Sequence, residues 1–152
     1  MKRLIRIISV IFPIIFLAPV LAFSAQAATV KVNIPDEDRF EPYVITVHVG
    51  DTVQWVNNDT DDHTVVSNDK FTTAGHRGTN HIIPGTQDTG QPGTFSLTFN
   101  KGGKFVYYCR FHSHLDKDKQ PMAPGPDGGI QDSKGNFGTP MNGVIVVLPA
   151  NQ

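Results

Sequence analysis

The 152-residue chain is 39% hydrophobic and 18% charged, with a formal net charge of −1 and a single cysteine. That length suits one domain, and a lone cysteine excludes an intramolecular disulfide framework. The near-neutral balance excludes the basic stripe with which a nucleic-acid binder neutralises phosphates.

Residues 1–27 read as a secretory signal peptide. Lys2, Arg3 and Arg6 form a positive n-region, Ile7 to Phe23 is an apolar run, and Ala25-Gln26-Ala27 is a small-x-small cleavage site. The alternative is an uncleaved membrane anchor, because the apolar run approaches the length of a spanning helix. Cleavage after Ala27 removes three of the 13 basic residues and none of the 14 acidic ones, leaving a domain of 125 residues with a net charge of −4. Export gives Cys109 a meaning. An unpaired thiol in an oxidising compartment needs a holder, and a metal is the usual one. A buried, inert thiol is the bland alternative.

From Thr29 onward, short alternating runs are separated by turn residues. Val30, Val32 and Ile34 alternate with polar positions. Val44 to Val49 is β-branched almost throughout and stops at Gly50-Asp51, Thr52 to Val56 ends at Asn57-Asn58-Asp59, and His63 to Ser67 is a further run. Thr94 to Phe99 turns at Asn100 to Gly103 and returns as Lys104 to Cys109, and Gly143 to Leu148 closes the chain. Seven or eight strands at such spacing, with no convincing helix, predict an all-β fold, an antiparallel Greek-key sandwich. Two segments, about 69–92 and 116–140, read as long loops, the second broken by repeated Pro and Gly. Within the second, Ile130 to Phe137 has the pattern of a small hairpin around Asp132 to Gly135. Pro and Gly deny this segment a packed core, so it reads as a surface excursion shaping partner contact.

Chemistry concentrates around Cys109. The cysteine ends the aromatic run Phe105 to Tyr108 and is followed by His112 and His114. His63 begins a strand after a polar turn, and Met141 opens the last one. Thiolate, imidazoles and a thioether are the ligand types of a trigonal copper site with a weak axial methionine. Zinc takes four protein ligands, or three and a water, and a lone cysteine without a C-x-x-C pair argues against a structural zinc site. Either His112 or His114 has a usable spacing. His76 and His81 read as polar loop residues, with a second metal site as the alternative, and Met122 reads as a loop methionine.

Three blocks, in order, resemble the plastocyanin/azurin-type cupredoxins: Phe40 to Asn58 (FEPYVITVHVGDTVQWVNN) with Asp62 to Val65, then Tyr107 to His112 (YYCRFH), then Met141 to Val147 (MNGVIVV). The resemblance runs from about Val30 to Leu148, apart from the two long loops. It implies a type 1 (blue) copper protein on an eight-stranded Greek-key sandwich, a monomeric one-electron carrier rather than an enzyme. Its partners are then periplasmic redox proteins, with membrane attachment only if the signal segment is retained. Carried onto this sequence, it makes His63 the first histidine ligand, Cys109 the thiolate, His112 the second histidine and Met141 the axial ligand to one copper ion. Thr64 stands where many members have an asparagine that ties the two ligand loops. The chain departs from the family in placing 28 residues between His112 and Met141, where members have only a few, and Leu115 occupies the place of the methionine in the shortest loops. A copper enzyme or sensor with an open position, and a copper delivery or storage protein, are the competing functions. The first calls for an acid–base pair that is not evident beside Cys109. The second calls for Met or Cys clusters that three methionines do not make.

Overall fold

The computed structural model describes residues 26–123 and 139–150. Most of the expected signal peptide and the Ile130 to Phe137 hairpin lie outside them. The strands are β1 (Thr29–Ile34), β2 (Val44–His48), β3 (Thr52–Asn57), β4 (His63–Ser67), β5 (Asn80–Ile83), β6 (Gly93–Thr98), β7 (Gly103–Tyr108), β8 (His114–Leu115), β9 (Pro121–Met122) and β10 (Asn142–Leu148), with one helical turn, α1 (Thr86–Thr89). They form a three-stranded sheet in the order β1-β3-β6, a five-stranded sheet in the order β2-β10-β7-β4-β5, and the small hairpin β8-β9.

The alternation of each strand explains the two-layer packing. Val32 and Ile34 of β1, Val53 and Trp55 of β3, Ile45 and Val47 of β2, Phe105 and Tyr107 of β7, and Ile145 and Val147 of β10 are buried between the sheets. Their neighbours at odd spacing face out, as a period of two requires. Trp55 meets Tyr107 edge-on at 5.3 Å, and Tyr107 stacks on Phe105 at 5.6 Å. This aromatic centre fills the space that no disulfide braces.

The sandwich is as expected, with two differences of pairing and two of extent. β1 pairs with β3 and β2 with β10 in parallel, not antiparallel. After β1 the chain crosses to the other sheet for β2 and returns for β3, and two changes of layer restore the original direction. The segment 69–92 is not wholly loop. Asn80–Ile83 adds an edge strand to β4, with His81 opposite Val65. Its polar first half hides it from a pattern search, and what forms it is the open edge of β4. The start of the 116–140 segment likewise folds back, with His114 opposite Met122 and Leu115 opposite Pro121.

One corner fixes how the sheets meet. Between β2 and β3 the chain turns at Gly50, whose φ of 101° suits glycine. Asp51 closes the corner. Its two carboxylate oxygens accept the backbone N–H groups of Ala28 and His48, each at 2.8 Å. Those bonds, Ala28 first, hold its carboxyl below the usual carboxylate range. The ionised form is therefore favoured by folding, so this stabilisation is present above the unfolded value of about 3.9 and is lost as pH falls through the lower folded value. Asp51→Ala is expected to destabilise the domain by about 1 kcal/mol at pH 7, the rim position limiting the effect. Denaturant titrations at pH 7 and pH 3 should show the gap between wild type and variant closing at the lower pH.

Candidate metal centre

β7 is flanked in the five-stranded sheet by β10 and β4, antiparallel to both. Its last residues meet the start of β10 on one side and the last residues of β4 on the other, and β4 runs back past the end of β7 to His63. Tyr108 lies opposite Asn142 on one side and Val66 on the other. Cys109, Met141 and His63 are the residues at these three strand ends, and they gather at one pole of the sandwich. All three are buried.

Within this pole His63, Cys109 and His112 present one ligand atom each, all within 4.8 Å of one another. The Nδ1 atoms of His63 and of His112 each lie 3.7 Å from Cys109 Sγ. A trigonal site with metal–nitrogen bonds of about 2.0 Å and a metal–sulfur bond of about 2.3 Å needs N···S separations of about 3.7 Å. The residues present therefore fit a metal ion of that size and softness. Met141 is bound to the same loop through its backbone. Its carbonyl accepts from Cys109 N–H at 2.9 Å and from the Ser113 hydroxyl at 3.1 Å, and its N–H reaches the His112 carbonyl at 3.4 Å. The long segment between His112 and Met141 thus leaves both of its roots hydrogen-bonded together.

Thr64 ties the two ligand-bearing segments, as its position in the sequence suggests. Its backbone N–H donates to Cys109 Sγ at 3.3 Å, and its hydroxyl lies 3.6 Å from the same sulfur. The hydroxyl oxygen also accepts from Arg110 N–H at 2.9 Å. Burial works against a charged sulfur. The hydrogen bonds from His112, His63 and Thr64 outweigh it and bring the Cys109 pKa down to about 5. The sulfur is thus a thiolate at neutral pH, the form that binds a soft metal. Burial also opposes imidazolium formation at His63 and His112, but their bonds to Cys109, reinforced by neighbouring carboxylates, raise both pKa values.

Two of those carboxylates were not singled out in the sequence. Asp59 Oδ2 lies 3.0 Å from His63 Nε2, on the side of the ring away from Cys109. Asp38 Oδ1 lies 3.6 Å from His63 Nε2 and 3.6 Å from His112 Nε2. Burial pushes the Asp38 carboxyl up, whereas for Asp59 the bond to His63 overcomes burial and its pKa is lowered. In the sequence both resemble ordinary turn acids.

The other candidates lie elsewhere. His114 is exposed on β8, opposite Met122, and does not enter the His63, Cys109, His112 group. The exposed Met122 sits on β9. His76 bonds through Nε2 to the Thr98 carbonyl at 2.9 Å, while the ring of His81 stacks on Phe95 at 4.1 Å. Among the described residues neither belongs to a group of three metal-binding side chains.

The sequence model for copper binding proteins of the plastocyanin/azurin family matches residues 27–117, a span that contains His63, Cys109 and His112. The chain belongs to this family. Copper is accordingly its cofactor, and the group at the pole of this cupredoxin can hold the ion. The chain is similar to chloroplastic plastocyanin of Tetradesmus obliquus, with 31% identity over 94 residues, 60% of this chain and 63% of the relative. It is also similar to chloroplastic plastocyanin of Physcomitrium patens, with 37% identity over 93 residues, 60% of this chain and 55% of the relative. It therefore spans somewhat over half the length of these curated relatives. Among solved structures, the Cu(I) form of an amicyanin mutant superposes with a TM-score of 0.50 at 21% identity, over 78% of this chain and 81% of that one. The oxidised state of another amicyanin mutant gives 0.50 at 22%, with the same coverage. These two support the cupredoxin fold.

The Thr64 link is open to a direct test. Thr64→Val keeps the branched shape and the N–H to sulfur, but it leaves Arg110 N–H without its acceptor. A loss of about 1–2 kcal/mol is expected in denaturant unfolding of the metal-free protein, with a shifted thiolate-to-copper absorption after loading.

Proposed function

We propose that this cupredoxin is an exported one-electron carrier. In it, His63 Nδ1, Cys109 Sγ and His112 Nδ1 hold one type 1 copper ion, with the Met141 thioether as a weak axial ligand. The observation that carries this reading is the matched pair of 3.7 Å nitrogen–sulfur separations around a buried, depressed-pKa thiol. Bound copper supplies a Cu(II)/Cu(I) couple, for which imidazole and thiolate together suit both oxidation states.

The chain's own contribution is to keep the donors still and dry. His63 and Cys109 are fully buried, and Thr64 holds the sulfur with its N–H and hydroxyl. Donors that cannot rearrange favour rapid exchange of one electron, because little has to move between the two states. His112 is the ligand whose ring reaches the surface, with 17% of its side chain exposed. Phe111 beside it is exposed, as is Tyr43, which lines a 230 Å³ surface cavity with Asp38, Phe40 and Met141. An exposed aromatic side chain next to a partly exposed ligand suits brief contact with redox partner proteins, while the buried Cys109 and His63 stay shielded from water. That burial favours a carrier over an enzyme with an open copper position.

For the N-terminus we propose cleavage after Ala27 and a periplasmic location. Ala28 N lies 2.8 Å from Asp51 Oδ1, so a chain starting at Ala28 sets its new α-ammonium group against a waiting carboxylate. N-terminal sequencing of protein recovered from an oxidising export compartment should begin at Ala28. A membrane-bound product retaining residues 1–27 overturns the cleavage.

The ligand assignment is tested by single substitutions in copper-loaded protein. Cys109→Ala and His112→Ala should each abolish the intense visible band, and His114→Ala should leave it. Met141→Leu should keep the colour and raise the reduction potential, because a weak axial contact tunes potential more than it supplies affinity. Colour that survives His112→Ala and disappears with His114→Ala overturns the equatorial assignment.

A further inference from the structure

The outer edges of the two imidazoles face carboxylates. A histidine that binds metal through Nδ1 carries its proton on Nε2, and a buried N–H needs an acceptor. At His63, whose side chain has no exposure, that acceptor is Asp59 Oδ2 at 3.0 Å. At His112 the nearest carboxylate is Asp38, whose Oδ1 stands 3.6 Å from both Nε2 atoms and so sits between the two rings.

Asp59 is built into its place. Its other oxygen, Oδ1, takes the Thr60 N–H at 2.5 Å, the Thr60 hydroxyl at 3.3 Å and the Asp61 N–H at 3.4 Å. The turn that carries it is tied down at several points. The Asn57 amide donates to the carbonyls of Asp61 and Ile83, and Asn57 Oδ1 takes the Asp59 N–H. From the segment leading into α1, Thr86 N–H donates to the Asp59 carbonyl at 2.8 Å, and Gly85 N–H donates to Asp62 Oδ1. Gly85 packs so close that a Cβ there would lie 2.0 Å from the Thr60 carbonyl oxygen. Such bracing aims a carboxylate rather than merely solvating it.

Nor is its charge met by a base. Among the described residues the ion-pair partners of Asp59 and Asp38 are only these histidines, and the neighbouring Arg39 pairs instead with Glu37 and Glu41. The charge these two acids complement is therefore the one at the centre of the ligand set.

We propose that Asp59 and Asp38 are positioning residues for the copper ligands: they hold both imidazoles with Nδ1 turned inward and weight the couple toward Cu(II). The proposal rests on the copper assignment above. The physical reason is simple: Cu(II) carries one more positive charge than Cu(I). A carboxylate one imidazole away, in a site of low effective dielectric, stabilises the more charged state more. The hydrogen bond that His63 Nε2 makes to Asp59 also makes that imidazole a stronger donor, which again favours Cu(II).

The test uses copper-loaded protein and reads the reduction potential alongside the visible spectrum. Asp59→Asn keeps an oxygen acceptor of the same size and removes only the charge, so a merely structural role would leave the potential alone. Asp38→Asn, at a more exposed position, is the second single variant and serves if the buried change impairs folding. Each is expected to shift the Cu(II)/Cu(I) equilibrium toward Cu(I), and the pair by tenfold or more, which is 59 mV for a one-electron couple. Asp118→Asn, an exposed acid outside the ligand set, should shift it by much less and so controls for net charge. Blue protein in which neither Asp59→Asn nor Asp38→Asn moves the potential beyond the Asp118→Asn control overturns the positioning role and leaves the copper assignment standing. Wild-type protein that takes up copper without the visible band overturns both.

Discussion

The site depends on the double flanking of β7. Because β7 pairs antiparallel with β10 and with β4, its C-terminal end lies beside the start of β10, and the start of β4 extends past it on the other side. Backbone hydrogen bonds that any sequence could make therefore bring Cys109, His63 and Met141 to one place. The side chains then need only point the right way. The aromatic centre of Trp55, Phe105 and Tyr107 fixes the strand faces, and a one-residue slip of β7 would turn Cys109 out of the pole. Gly143 belongs to the same constraint. It lies opposite Tyr107, and a Cβ there would come within 2.5 Å of the phenol ring.

On this frame the donors are ordered in layers. Thr64 connects β4 to the cysteine loop, so the histidine-bearing and cysteine-bearing segments cannot drift apart. Behind it, the β3–β4 turn is held by Asn57 and by the residues around α1, which places Asp59 against His63. The described roots of the insertion after His112 leave this arrangement intact. Its described beginning folds into the β8–β9 hairpin, where Asn68 and Lys70 donate to the carbonyls of Lys119 and Asp118. Closing a longer loop between two fixed roots adds little entropy cost. An extra two dozen residues are compatible with an undisturbed centre for that reason.

The electrostatics of the pole differ from a purely neutral pocket. Two acids stand outside the imidazoles, a thiolate stands inside, and His112 alone among the three donors touches solvent. A cation at the centre satisfies all of these groups at once. The bonds among imidazole, sulfur and carboxylate are the source of the raised histidine pKa values and of the lowered value at Cys109.

How much of this was legible beforehand follows from the range of the interactions. The strands could be read because alternation is local, and Cys109 with His112 because three residues apart on one loop is a local spacing. His63 could be read from its place at the start of a strand after a polar turn, and Thr64 only from the resemblance, as the residue where many members have an asparagine. The parallel pairings could not be read, since strand direction depends on which layer the intervening chain crosses. Strand β5 escaped notice because Asn80 and His81 lack an apolar pattern, and the free edge of β4 is what made them a strand. Of the two candidate second histidines, spacing allowed both, and only the fold of the β8–β9 hairpin turned His114 outward. Asp38 and Asp59 lie in polar turns that look like any solvated loop. Asp38 comes from 25 residues before His63 and 74 before His112, and a contact at that separation is created by packing two sheets together, not by any pattern along the chain. The sequence by itself determined the class of sandwich and supplied the thiol and imidazoles that the fold gathers at its pole. Which histidine turns inward, and which carboxylates stand behind it, was decided only when the layers closed.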